Sequence, residues 1–154
     1  MTDPDAIHPA PHWPSRADAE EVVALLPIIE AHAWRAVIRR TQGVRADGSF
    51  FDSPYGVTAP EVGQLVDLFG APNWTDSAYQ PTAALAQLRD PAVVAQASLA
   101  QVRTLATVFV RGEHFCEGFW AGEFENGNIQ RVLRRLQTLL TQADVGWREP
   151  DAKN

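Results

Sequence analysis

Residues 110–127 read VRGEHFCEGFWAGEFENG and set Glu113, Glu117, Glu123, Glu125, His114 and the chain's only cysteine, Cys116, among Phe115, Phe119, Trp120 and Phe124. Three kinds of chemistry could use such a set. A metal ion would take His114 with Glu117, which are three apart and share a helical face. The di-iron carboxylate motif, however, runs Glu-x-x-His and is duplicated on two helices; in this chain the order is reversed and there is no second copy. His114 and Cys116 stand about 200° apart around a helix and cannot chelate one ion together. Nucleophilic catalysis would need Cys116 as an exposed thiolate beside a cation or a helix N-terminus. Helical spacing puts it on the face of Phe119 and Trp120 instead, so a buried, inert thiol is expected.

The third chemistry is that of carboxylates acting as acid, base or receptor for a cation. With residues 114–125 drawn as one helix at about 100° per residue, the aromatics and Cys116 cover roughly half the circumference, and Glu123 falls in the middle of that apolar face. A buried carboxylate must be paired or protonated. Arg111, Arg131, Arg134 and Arg135 can answer it, provided that a turn at 126–128 folds the following helix back. The candidate polar cluster is therefore Arg111, Glu117, Glu123, Arg134 and Arg135. An internal ion-pair network is the expected role, and a ligand or catalytic site using Arg111, Glu117 and Glu123 is the alternative. No catalytic residue, metal ligand or cofactor is assigned. Gly118 and Gly122 suggest the close approach of a neighbouring helix, because a glycine costs a helix about 1 kcal/mol relative to alanine.

The elements that must position this cluster read as helices. Residues 1–14, with four prolines and with His8 and His12, read as a mobile Pro-rich arm. A helical domain over 15–143 follows, then a tail over 144–154 in which Trp147 docks back. Residues 15–40 carry acids early, arginines late and a stripe of Val22, Leu26, Ile29, Ala33 and Val37, with a break expected at Pro27. His32 reads as a satisfied structural histidine. Asp47-Gly48 marks a turn flanked by Val44, Phe50 and Phe51, which allows one short hairpin near residues 44–52. Thr58 with Glu61 reads as a capping box for a helix that stops at Gly70. A short helix over 81–89, a turn opened by Asp90-Pro91, and a helix capped by Ser98 and Gln101 that ends at Gly112 come next. Asn128 is expected to cap the last helix, whose stripe is Ile129, Val132, Leu133, Leu136, Leu139 and Leu140. The fold class is all-α: a single-domain bundle of five to seven short helices.

The bulk chemistry narrows function. A chain of 154 residues that is 45% hydrophobic supports one domain with a sizeable core. No run approaches the roughly 18 apolar residues of a spanning helix, and the N-terminus has no basic or apolar leader region, so a cytoplasmic protein without membrane contact is expected. Thirteen basic against nineteen acidic residues give a net charge of −6, which disfavours phosphate-dominated nucleic-acid binding. The exception would be weak binding through Arg131, Arg134 and Arg135. No phosphate loop, dinucleotide fingerprint, nucleophile elbow or His-Glu-x-x-His occurs.

Residues 108–136, VFVRGEHFCEGFWAGEFENGNIQRVLRRL, resemble the signature of a bacterial family catalogued only as a domain of unknown function. That signature runs from an Arg through Phe-x-Glu-Gly and Phe-Glu-x-Gly to Leu-Arg-Arg-Leu, matched here by Arg111, Phe115, Glu117, Gly118, Phe124, Glu125, Gly127, Leu133, Arg134, Arg135 and Leu136. A looser match of SPYGVTAPEVGQLVDLF extends the resemblance to residues 53–142. The chain departs from it at His114, where an Arg is usual, and at APNW around Trp74, where an acid usually precedes the Trp. The resemblance implies a shared helical fold and a shared polar hairpin, and no chemistry. The reading is a non-catalytic protein-interaction or regulatory domain, with a protein partner or self-association expected and any small-molecule ligand left open.

Overall fold

The computed structural model describes residues 13–57 and 59–148, with the backbone alone at 39–41 and 53–57. Prolines and short polar caps decide where the helices start. Ser15 caps α1 (Arg16–Val23) in a full capping box with Asp18. Pro27 ends that run, and the chain restarts as α2 (Leu26–Ala31) with the proline in its first turn, where its missing N–H is harmless. A third short helix, α3 (Trp34–Val37), leads into the antiparallel strands β1 (Ile38–Val44) and β2 (Phe50–Val57). The ribbon turns at Gly48, whose φ of 84° favours glycine. It is longer than the hairpin expected near 44–52, and it takes Ile38, Arg39 and Arg40 out of the helix that the trailing arginines had suggested.

Beyond the ribbon lie α4 (Pro60–Phe69), a 3-10 turn (Pro72–Trp74), α5 (Pro81–Leu88) and α6 (Pro91–Ala95). The N-cap of α4 is Ala59, without a side-chain bond; Thr58, expected to cap it, lies outside the described residues. Asp90 does cap α6, accepting from the Ala92 amide at 3.0 Å. Then come α7 (Leu99–Phe115), α8 (Phe119–Glu125) and α9 (Asn128–Leu139). The result is a predominantly helical single domain, with nine α-helices among the described residues where five to seven short ones were expected.

The core sits around α7 and α9. The buried side of α9 is Ile129, Val132, Leu133, Leu136 and Leu139, and it touches α1, α2, α5, α6, α7 and α8. Each fully buried aliphatic side chain is worth about 1.5–3 kcal/mol, so this one face organises the bundle. Aromatic packing joins α3, α7 and α8: Trp34 stacks on Phe124 at 4.2 Å between ring centroids, and Phe109 meets Phe124 edge-on at 5.7 Å. His32 bonds Glu61 at 3.2 Å and packs edge-on against Trp34.

The first and last described residues meet beside α1. The Arg148 amide donates to the Pro14 carbonyl at 3.0 Å, and Trp147 packs against the core. Trp13 lies under the buried Arg103, whose guanidinium stands 4.6 Å from the ring and donates to the Asn73 and Thr75 carbonyls at 3.1 and 2.8 Å. Burial lowers the Arg103 pKa, with the nearby Asp76 pulling the other way. The expected arm at residues 1–14 otherwise lies outside the described residues, as do residues 149–154 of the tail.

Candidate functional site

The sequence cluster does not form one helix. The run from 114 to 125 breaks at Cys116–Gly118, where Gly118 takes a left-handed φ of 82°. Therefore α7 passes Gly112, the stop expected for it, and reaches Phe115, while α8 starts anew at Phe119. The break corrects two side-chain placements. Phe115, expected on the buried face, is 82% exposed. Cys116, expected to be buried, is exposed at the end of α7. Its sulfur makes a 3.9 Å contact with the Glu117 carbonyl.

The glycine with a close neighbour is also a different one. A Cβ on Gly112 would sit 2.3 Å from the Phe119 ring, whereas one on Gly122 would meet nothing within 4 Å. Gly118 is required for its backbone conformation.

Glu113 and Glu123 fix α8 at its two ends. Glu113 reaches across the break and accepts from the Gly118 and Trp120 amides at 2.9 and 2.8 Å, satisfying donors that a helix start leaves open. Glu123 is buried at 2% exposure, as its projection required. Its partner is neither Arg111 nor an arginine of α9. Arg89, at the end of α5, gives Nε and Nη2 to one carboxylate oxygen at 2.9 and 2.8 Å, and Asn128 Nδ2 donates to the other at 2.5 Å. Asn128 Oδ1 then accepts from Arg131 Nη2 at 2.6 Å. A chain of charge-assisted bonds thus runs Arg89, Glu123, Asn128, Arg131 and ties α5, α8 and α9 together. Asn128 is not the cap of α9; Gly127, with φ 76°, takes that place and frees the Asn128 side chain for Glu123. Glu125 pairs with Arg35 at 3.2 Å, linking α8 to α3.

The remaining candidates are dispersed. Arg111 is exposed and lies over the Tyr79 ring at 5.2 Å. Glu117 is exposed in the break, and His114 is exposed in the last turn of α7. Arg111, Glu117 and Glu123 are therefore not brought into one pocket. Arg134 and Arg135 do come together: with Arg131, Pro91, Val94 and Ala95 they line a cleft of about 240 Å³ between α6 and α9. Arg134 pairs with Glu30 through Nε. Arg135 Nε donates to the Ala97 carbonyl at 2.8 Å. Among the described residues, no group of three His, Cys, Asp or Glu side chains is placed to hold a metal ion, and no helix is long and apolar enough to cross a membrane.

Arg89 was missed in the sequence because it stands 34 residues from Glu123, and no local spacing connects the two. Glu113 has no role that its spacing in the sequence assigns. Its capping role depends on the break at Gly118, for which the adjacent glycine was the available signal.

A family of unknown function, DUF6508, matches residues 14–142. The chain belongs to that family. The match takes in every helix and both strands, so in this DUF6508 chain it embraces the polar hairpin, the β-ribbon and the α6/α9 cleft alike. No curated protein and no solved structure matches the chain.

Proposed function

We propose that this chain is a non-catalytic protein-interaction domain that associates with a second copy of itself through the β1–β2 ribbon. The observation that carries the reading is the register pair Val44 and Phe50, which face each other across the ribbon at 59% and 83% exposure. An aromatic of that size in water is an anchor without a pocket. Among the described residues the sheet has two strands, so its outer backbone groups lack strand partners there and offer a template for another chain. A ribbon from a second copy, related by a two-fold axis, would satisfy such an edge and bury the two apolar pairs against each other.

The alternative of a ligand or substrate site on Arg111, Glu117 and Glu123 has less support. Glu123 is engaged by Arg89 and Asn128, and the other two lie apart from it on the surface. Light scattering across a concentration series tests the proposal. The native chain is expected to approach twice the monomer mass and Phe50→Ser to stay monomeric. A native chain that is monomeric throughout, or a Phe50→Ser variant that associates equally well, overturns it.

A further inference from the structure

We infer that the α6/α9 cleft is a docking site for an acidic peptide segment of a protein partner, one that presents a carboxylate next to a small apolar side chain. Its walls combine two chemistries. The α6 side supplies Val94 and Ala95, and the α9 side supplies three arginines. Each guanidinium is held in place by one edge, which leaves other donors open. Arg135 is anchored through Nε to the Ala97 carbonyl, Arg131 through Nη2 to Asn128 Oδ1 and the Asn126 carbonyl, and Arg134 through Nε to Glu30. The Nε of Arg131 is buried with no hydrogen-bond partner.

Among the described residues, only Arg134 of the three is neutralised by a carboxylate. Arg131 and Arg135 are held by neutral oxygens, which orient their charge without cancelling it. In a chain of net charge −6, two such cations one helical turn apart form a local positive spot with a rigid donor geometry, suited to bidentate carboxylate recognition.

The size of the cleft selects the occupant. Sites that enclose a small molecule run to about 300–1,000 Å³, and about 240 Å³ is below that range. One apolar side chain and the carboxylate beside it fit, with the rest of the segment outside. A nucleic-acid backbone would need a broader positive stripe, and here Glu30 pairs with Arg134. The cleft is a separate surface from the ribbon, so the inference survives a failure of self-association.

Fluorescence anisotropy of the full chain tests it, with a labelled peptide of alternating glutamate and valine as the probe. An equal-length peptide of glutamine and valine and a single-stranded oligodeoxynucleotide serve as comparisons. The glutamate peptide is expected to bind saturably, and at least about tenfold more tightly than the glutamine peptide. Binding should weaken as salt is raised, fall about tenfold in Arg135→Gln, and stay unchanged in Phe50→Ser. Ala95→Glu places a carboxylate at the rim without removing any anchor, so it should abolish binding even if Arg135→Gln fails to fold. Absent saturation, equal binding of the glutamine peptide, tighter binding of the oligonucleotide, or unchanged binding in Ala95→Glu would each overturn the inference.

Discussion

Replacing Glu123 by glutamine keeps its volume and removes its charge, so it separates the two roles a buried glutamate can have. If the residue holds the bundle together, the variant is less stable. If it is kept for a ligand, removing a charge buried to 2% exposure should leave stability unchanged or raise it. Breaking one member of a buried ion pair costs about 3–5 kcal/mol. Here the partner's side chain is 54% exposed, so Arg89 rehydrates when released and the figure is discounted to about 2–3 kcal/mol. The glutamine amide adds a second fault. One of its ends must face either the Arg89 donors or the Asn128 Nδ2 donor, and turning Asn128 round abandons its bond to Arg131. At about 2–4 °C per kcal/mol for a chain of this size, Tm should fall by roughly 4–12 °C. Thermal and urea unfolding of the native chain, Glu123→Gln, Arg89→Ala and the double variant give the full cycle, with a coupling of about 1–2 kcal/mol expected. A Glu123→Gln chain as stable as the native one, with strictly additive single effects, would refute the structural role and return Glu123 to the list of ligand-binding candidates.

The glycines give a paired prediction: Gly112→Ala should destabilise by about 1–3 kcal/mol, because its Cβ would meet the Phe119 ring at 2.3 Å, while Gly122→Ala should stabilise by about 0.5–1 kcal/mol, with open space around it in a helix. Chemical denaturation measures both, and equal effects would contradict the packing. Glu113→Ala should cost about 1–2 kcal/mol and speed amide exchange at Gly118 and Trp120, the two donors it accepts from; unchanged exchange there would remove its capping role. In the α1 capping box, burial raises the Asp18 pKa, but its bonds from the Ser15 amide, the Asn73 side chain and the Ser15 hydroxyl outweigh that, and its carboxyl ends below the ordinary 3.8. A depressed folded pKa means that this stabilisation is fully present above about 3.8 and disappears as pH falls through the lowered value. Acid titration followed by circular dichroism should therefore show an Asp18→Asn chain that loses less stability than the native chain across that window.

The local parts of this fold were readable because their chemistry is local. The Ser98–Gln101 capping box, Asp90 before Pro91, and Pro27 and Pro81 in first turns each act within a few residues, and each stands where its residue type places it. The failures came where two patterns overlapped. Arg35, Arg39 and Arg40 fit the end of a long helix as well as they fit a ribbon, so Ile38 and the residues after it read as helical. The aromatics from Phe115 to Phe124 keep helical spacing across a break, and periodicity alone cannot register the three residues, Cys116 to Gly118, that interrupt it. At the candidate site, Glu123 was legible as buried because a carboxylate projected among aromatics. Its partner was not, since Arg89 arrives from another helix by tertiary packing.

The carboxylates that first suggested chemistry act instead on the placement of α8. That helix is bracketed by two left-handed glycines, Gly118 and Gly127, which permit the chain to turn but do not choose its direction. Direction comes from Glu113 at one end and Glu123 with Asn128 at the other. Once set, α8 puts Phe124 against Trp34 and Phe109, pairs Glu125 with Arg35, and packs on β2. The same network continues through Asn128 to Arg131 on the cleft wall. One buried glutamate therefore stands between the two surfaces assigned to partners, and loosening it should disturb the ribbon through α8 and the cleft through Arg131. Glu123→Gln is accordingly expected to weaken both self-association and acidic-peptide binding, whereas Phe50→Ser and Ala95→Glu each affect one alone. If Glu123→Gln lowers Tm yet leaves both binding measurements untouched, the network supports the bundle without setting either surface.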